Sequence, residues 1–212
     1  MLIPAILENN KKKYLENLKA VLALKNIKSI QIDFADGEFV ATKTLPIADI
    51  ELPTRSKILF EAHLMIKEPK DFVLYQKAGF KKIIIHYEAF KSELDLEAAI
   101  EEIKKLKMVP AIAISPTSEI SVIRYHTDTI KDFTLLAVVP GRQGQKMLPE
   151  TFDRLRELRD FAPSANIEID GGVDSKNIAS LIDAGATDCV AGSSLLRGDI
   201  KENYKVLMEA LK

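Results

Sequence analysis

Short apolar runs alternate along this chain with longer segments whose apolar positions recur every three to four residues. The runs cover residues 2–7, 29–34, 58–65, 82–87, 109–115, 133–139, 166–170 and 188–192. Their lengths suit strands buried in a parallel sheet. The helical period appears in residues 11–24, 69–79, 95–107, 149–162, 175–186 and 200–212. Residues 35–57 read mostly as loop, and 118–126 (SEISVIRYH) carry only a short helix. This alternation predicts an α/β fold, a (β/α)₈ TIM barrel near its lower size limit, spanning residues 1–212 as one domain. A doubly wound open sheet fits less well, because the glycine signals gather late in the chain.

Parity within the strands sharpens this expectation. Ile30 and Ile32 alternate with Gln31 and Asp33, so the apolar pair should meet helices and the polar pair should point into the barrel. By the same alternation Glu61 shares a face with His63, His86 with Glu88, and Glu168 with Asp170. Each polar group costs roughly 1–3 kcal/mol if buried without a partner. One such residue, His86 for example, is explained by a satisfied core hydrogen bond. Four strands doing so at the end where barrel active sites lie predict a site.

Glycine adds a second signal. IDGGV (169–173) and VAGSS (190–194) each end a strand and precede a helix. Gly171, Gly172, Gly192 and Ser193 there suit a phosphate grip built from backbone N–H groups. The plainer alternative is a tight turn that needs glycine for sterics alone. VVPGRQGQKM (138–147) places Gly141, Arg142, Gly144 and Gln145 after the sixth strand, as a lid or as a simple connection.

Composition narrows the partners. Thirty basic and 31 acidic residues leave a formal charge of −1, which favours a small-molecule partner over nucleic acid or a membrane. The lysine runs at 11–13, 81–82 and 104–105 read as solvated faces. The single cysteine, Cys189, excludes an intrachain disulfide and reads as a buried packing residue. With no membrane-length apolar run and no signal-peptide pattern, the expected location is cytoplasmic. A homo-oligomer is left open.

The motifs IPAIL, IDFADGEFV, EAHLM, IIIHYEA, VVPGRQGQK, IDGGV and VAGSS, in this order over nearly the whole chain, resemble the ribulose-phosphate 3-epimerase family. That resemblance implies a phosphate-binding barrel that interconverts D-ribulose 5-phosphate and D-xylulose 5-phosphate. It also implies one divalent metal held by two histidines and two aspartates, with the aspartates exchanging protons with substrate. On this chain the aspartates are Asp33 and Asp170, and one histidine is His63. The other histidine position is Gln31, whose amide oxygen is a weaker ligand than imidazole for zinc or late transition metals.

Two arrangements follow. Either a harder ion binds with Gln31 among its ligands, or no metal binds and Gln31 and His63 donate hydrogen bonds to the enediolate. Ala5, Ala35 and Ser115 replace a usual serine, methionine and asparagine, and Arg142 and Gln143 interrupt the Gly-rich lid. An epimerase of a six-carbon ketose phosphate and a non-catalytic sugar-phosphate-binding protein are the alternatives. The related decarboxylase and synthase branch places a lysine between two aspartates. Phe34 and Ala35 stand between Asp33 and Asp36 here, which disfavours it.

Overall fold

The computed structural model describes residues 1–142 and 144–211; Gln143, one of the two lid interruptions, lies outside the described residues. Eight parallel strands close into a barrel in chain order. They are β1 (Leu2–Ile6), β2 (Ser29–Ala35), β3 (Leu59–Met65), β4 (Lys82–His86), β5 (Val109–Ile114), β6 (Asp132–Leu136), β7 (Asn166–Asp170) and β8 (Asp188–Ala191). Around them run α1 (Lys11–Leu22), α2 (Phe72–Ala78), α3 (Glu93–Lys105), α4 (Thr151–Phe161), α5 (Ile178–Asp183), α6 (Ser193–Leu196) and α7 (Ile200–Ala210). The 118–126 segment supplies only a 3₁₀ turn at Ile120–Ile123. Among the described residues no helix is long and apolar enough to cross a membrane.

Local chemistry sets the helix starts. Asn10, Ser92 and Asp199 accept backbone N–H bonds from the first turns of α1, α3 and α7. The Ser92 cap begins α3 two residues before the apolar periodicity does. Outward-facing Ile30, Ile32 and Phe34 of β2 join the large core between barrel and helices, where Phe34 packs edge-on against Tyr75 and Phe80. Cys189 is fully buried in that core, and burial pushes its thiol up to about 12.

Inside the barrel, apolar filling comes from Ile3, Ala5 and Val190 and from Ile84, Ala111, Ala113 and Leu136. The remaining interior is polar and forms two layers. Register pairs Gln31 with Glu61 and Asp33 with His63, so Glu61 lies one step below the mouth. Glu61 and Glu168 therefore do not belong to the site as their parity suggested. Two residues along a strand advance roughly 6–7 Å, so they share a face and still occupy different depths.

Lys82 explains what the lower layer does. It was expected on a solvated face, yet it is 7% exposed. Its Nζ reaches Glu61 at 2.9 Å, Glu168 at 3.1 Å and Asp132 at 3.8 Å. Burial opposes its charge, but these carboxylates outweigh burial and raise its pKa. Thr134 Oγ1 donates to Glu168 at 3.0 Å, and Ser29 Oγ donates to Glu61. This is a closed ionic floor.

Candidate active site

Above the floor, β2, β3 and β7 bring Asp33, His63 and Asp170 together, with one ligand atom from each lying within 4.8 Å of the others. His63 Nδ1 stands 3.3 Å from Asp33 Oδ1 and 3.2 Å from Asp170 Oδ2. Gln31 lies beside them, fully buried. Its Nε2 donates to Asp33 Oδ1 at 2.8 Å and to Asp170 Oδ2 at 2.9 Å. Its Oε1 is buried and has no hydrogen-bond partner. The amide thus bridges both carboxylates through one end and leaves the other end unused.

The electrostatics follow from that crowding. Burial raises the Asp33 carboxyl, the neighbouring Asp170 charge adds to it, and His63 opposes. For His63 burial opposes the charge, but Asp170 and Asp33 outweigh it and push the imidazole up to about 10. A protonated His63 between the two carboxylates is the favoured state of the bare cluster.

The β4 histidine belongs here too. The His86 ring stacks on His63, with centroids 5.1 Å apart and planes inclined by 20°. The two Nε2 atoms are 2.9 Å apart. Burial lowers the His86 pKa. Glu88 lies past the strand end in a 3₁₀ turn, and its Oε2 returns to within 3.5 Å of His86 Nδ1. Glu88 Oε1 accepts the Ser115 N–H at 2.9 Å. Burial works against the Glu88 charge, yet the nearby His86 ring, Ser118 and the Ser115 N–H hold its carboxyl down at about 2. The shared parity of His86 and Glu88 was visible in the sequence; their link to His63 was not.

An open cavity rises over Asp33, His63 and Asp170. Gly171, Gly172, Gly192 and Ser193 form one wall, at the ends of β7 and β8. The lid residues Gly141, Arg142, Gly144 and Gln145 form another. Gln31 lies beneath the cluster rather than on the cavity surface. The Gln145 amide is engaged within the lid, donating to the carbonyls of Val139 (2.6 Å) and Arg142 (2.9 Å).

Two lid glycines are held by close approach. At Gly141 (φ +99°) a Cβ would fall 2.7 Å from Val40 Cβ. At Gly144 (φ +78°) it would fall 2.7 Å from a terminal guanidinium nitrogen of Arg197. Thr42 Oγ1 also donates to the Gly141 carbonyl. The loop after β6 therefore packs on the segment after β2 and on the residue that follows α6.

A closed parallel barrel with two carboxylates and an imidazole converging at its C-terminal mouth has the architecture of a (β/α)₈-barrel enzyme. The family model described as "Ribulose-phosphate 3 epimerase family" matches residues 1–196, and the chain belongs to that family. A ribulose-phosphate 3-epimerase of Chlamydia muridarum (strain MoPn / Nigg) is 35% identical over 188 residues, covering 84% of this chain and 81% of that protein. The chloroplastic ribulose-5-phosphate-3-epimerase of Arabidopsis thaliana is 32% identical over 201 residues, covering 91% and 70%. Among solved structures, a 3-hexulose-6-phosphate synthase from Salmonella typhimurium superposes with a TM-score of 0.73 at 14% identity, covering 99% of this chain and 97% of that one. That likeness speaks for the fold alone.

Proposed function

We propose that this chain interconverts D-ribulose 5-phosphate and D-xylulose 5-phosphate, with Asp33 and Asp170 as the two acid–base groups at carbon 3. The observation that carries this reading is their placement. They come from β2 and β7, face one cavity, and share His63 and Gln31 as neighbours. One carboxylate takes the carbon-3 proton, and the electron pair of that C–H bond passes into an enediolate. The other, protonated beforehand, returns a proton to the opposite face. The raised Asp33 pKa suits a carboxyl that must hold a proton during part of the cycle. Gln31 acts from beneath, its amide N–H groups bonded to both carboxylates at 2.8 and 2.9 Å, and so orients them rather than the substrate.

The residues fit a divalent ion. Asp33, His63 and Asp170 supply O, N and O donors, and the orphaned Gln31 Oε1 would supply a fourth if the amide turned end for end. Such an ion would stabilise the enediolate oxygens electrostatically. It would also have to displace the proton from His63, so its affinity should rise with pH up to about 10. For the phosphate we infer the wall formed by Gly171, Gly172, Gly192 and Ser193, with Arg142 as a nearby cation.

The test is deuterium incorporation at carbon 3 of D-ribulose 5-phosphate in D₂O, followed by NMR. Protein stripped of metal is run beside protein given Mg²⁺, Mn²⁺, Fe²⁺ or Zn²⁺. Exchange that Asp33→Asn and Asp170→Asn each abolish supports the two-carboxylate reading, and its dependence on added ion reports on the metal. No exchange under any condition sinks the substrate assignment.

A further inference from the structure

Two histidine nitrogens 2.9 Å apart pose a bookkeeping problem, because one must carry a hydrogen and the other must not. His63 must be neutral to ligate an ion, and with both rings neutral two assignments exist. In the first, His63 Nε2–H donates to His86 Nε2, and His86 carries its own hydrogen on Nδ1, facing Glu88 Oε2 at 3.5 Å. In the second, His86 Nε2–H donates to His63, which leaves a bare His86 Nδ1 facing a carboxylate oxygen. His86 Nδ1 and Glu88 Oε2 are both buried and otherwise without partners. Only the first assignment turns a hydrogen towards the carboxylate oxygen, across a gap longer than an ordinary hydrogen bond; the second sets a lone pair against it.

We propose that His86 and Glu88 are positioning residues that fix the hydrogen of His63 on Nε2, so that its Nδ1 lone pair is the one presented to Asp33 and Asp170. The geometry around them agrees. Glu88 is anchored by the Ser115 N–H, and the His86 ring is held between His63 and Phe39, whose ring centroid lies 4.8 Å away. The chain Glu88–His86–His63 runs from the partly exposed rim of the barrel to the buried cluster. A ligating histidine ordinarily hands its second N–H to a carboxylate, carbonyl or water. Here a second histidine is interposed, and it passes the orienting effect of a carboxylate inward.

This inference uses the metal reading for its affinity consequence only, and the experiment separates the two. Long-range ¹H–¹⁵N NMR on the metal-free protein, recorded above the pH at which His63 gives up its second hydrogen, reads the ring hydrogens directly. The expected pattern is His86 protonated on Nδ1 and bare on Nε2, with His63 protonated on Nε2. In Glu88→Ala the His86 pattern should be lost, while Glu88→Gln, which keeps an acceptor oxygen, should largely retain it. A purely structural role for Glu88 would not move these signals. His86 protonated on Nε2 with His63 Nε2 bare overturns the proposal whether or not any ion binds.

Calorimetric titration with Zn²⁺ is the second arm. Glu88→Ala should bind about tenfold to a hundredfold more weakly than the parent, and Glu88→Gln should recover most of that loss. Unchanged affinity in Glu88→Ala, in a titration where Asp33→Asn abolishes binding, overturns the proposal. If the parent protein binds no Zn²⁺, the metal reading is what fails, and the NMR pattern alone decides.

Discussion

The barrel interior holds two polar layers built on overlapping sets of strands, and they solve the same problem in opposite ways. In the floor, three carboxylates from β3, β6 and β7 converge on Lys82, so the compensating cation is part of the chain. One step higher, Asp33 and Asp170 converge on His63 and on the amide of Gln31, neither of which is a permanent cation. The floor also recruits hydroxyls from Ser29 and Thr134. The mouth leaves Gln31 Oε1 with neither a hydrogen bond nor an ion pair, whereas Glu61 Oε2 in the floor has Lys82 at 2.9 Å. A buried ionic layer whose cation is a permanent part of the chain is a structural element; one whose cation is a titratable imidazole, beside an amide oxygen that nothing bonds, is prepared for something else.

Substitutions in the two layers should separate accordingly. Asp33→Asn or Asp170→Asn removes one proton-transfer group while keeping its shape. Carbon-3 exchange should fall by about two to four orders of magnitude with the circular-dichroism melt little changed. Lys82→Met attacks the floor and should do the reverse. It leaves buried carboxylates uncompensated and should cost about 3–5 kcal/mol of stability in urea titrations. Activity per folded molecule should survive better than in the aspartate variants. Comparable losses of exchange and of stability in both layers would dissolve the distinction.

Gln31→His tests whether the mouth is short of ligands. An added imidazole should tighten Zn²⁺ binding by about tenfold or more in calorimetry. No change would mean the buried amide position does not reach the ion. The last effect concerns acid stability. The Glu88 carboxyl titrates at about 2 in the folded protein against an ordinary value of 4.5. Its contribution is therefore fully present above about pH 4.5 and is lost as pH falls through about 2. Glu88→Gln should flatten that part of the acid limb by at most about 3 kcal/mol, less as solvent screens the partly exposed carboxylate, in pH-dependent melts.

Strand parity sufficed to read the barrel, and it put Asp33, His63 and Asp170 on inward faces. It did not give height. Glu61 shares a face with His63, and Glu168 with Asp170, but shared parity does not say that a separation of two residues is enough for the glutamates to close a separate layer on Lys82. Lys82 was illegible for a related reason. Beside Lys81 it looks like part of a surface run, and its burial depends on carboxylates contributed by residues 61, 132 and 168. No local pattern encodes that convergence. The role of Gln145 was likewise hidden, because its bonds to Val139 and Arg142 are a property of the folded lid.

The two lid glycines carry an evolutionary consequence. Gly141 abuts the β-branched Val40, which has little room to yield, whereas Gly144 abuts the far end of the flexible Arg197 side chain. Descendants of this sequence should therefore vary at 144 with modest adjustment around 197, within the limits its positive φ sets. Change at 141 should arrive only together with a smaller residue at 40. Positions 40 and 141, a hundred residues apart in the chain, would drift as one heritable unit, recording in sequence where the lid comes to rest.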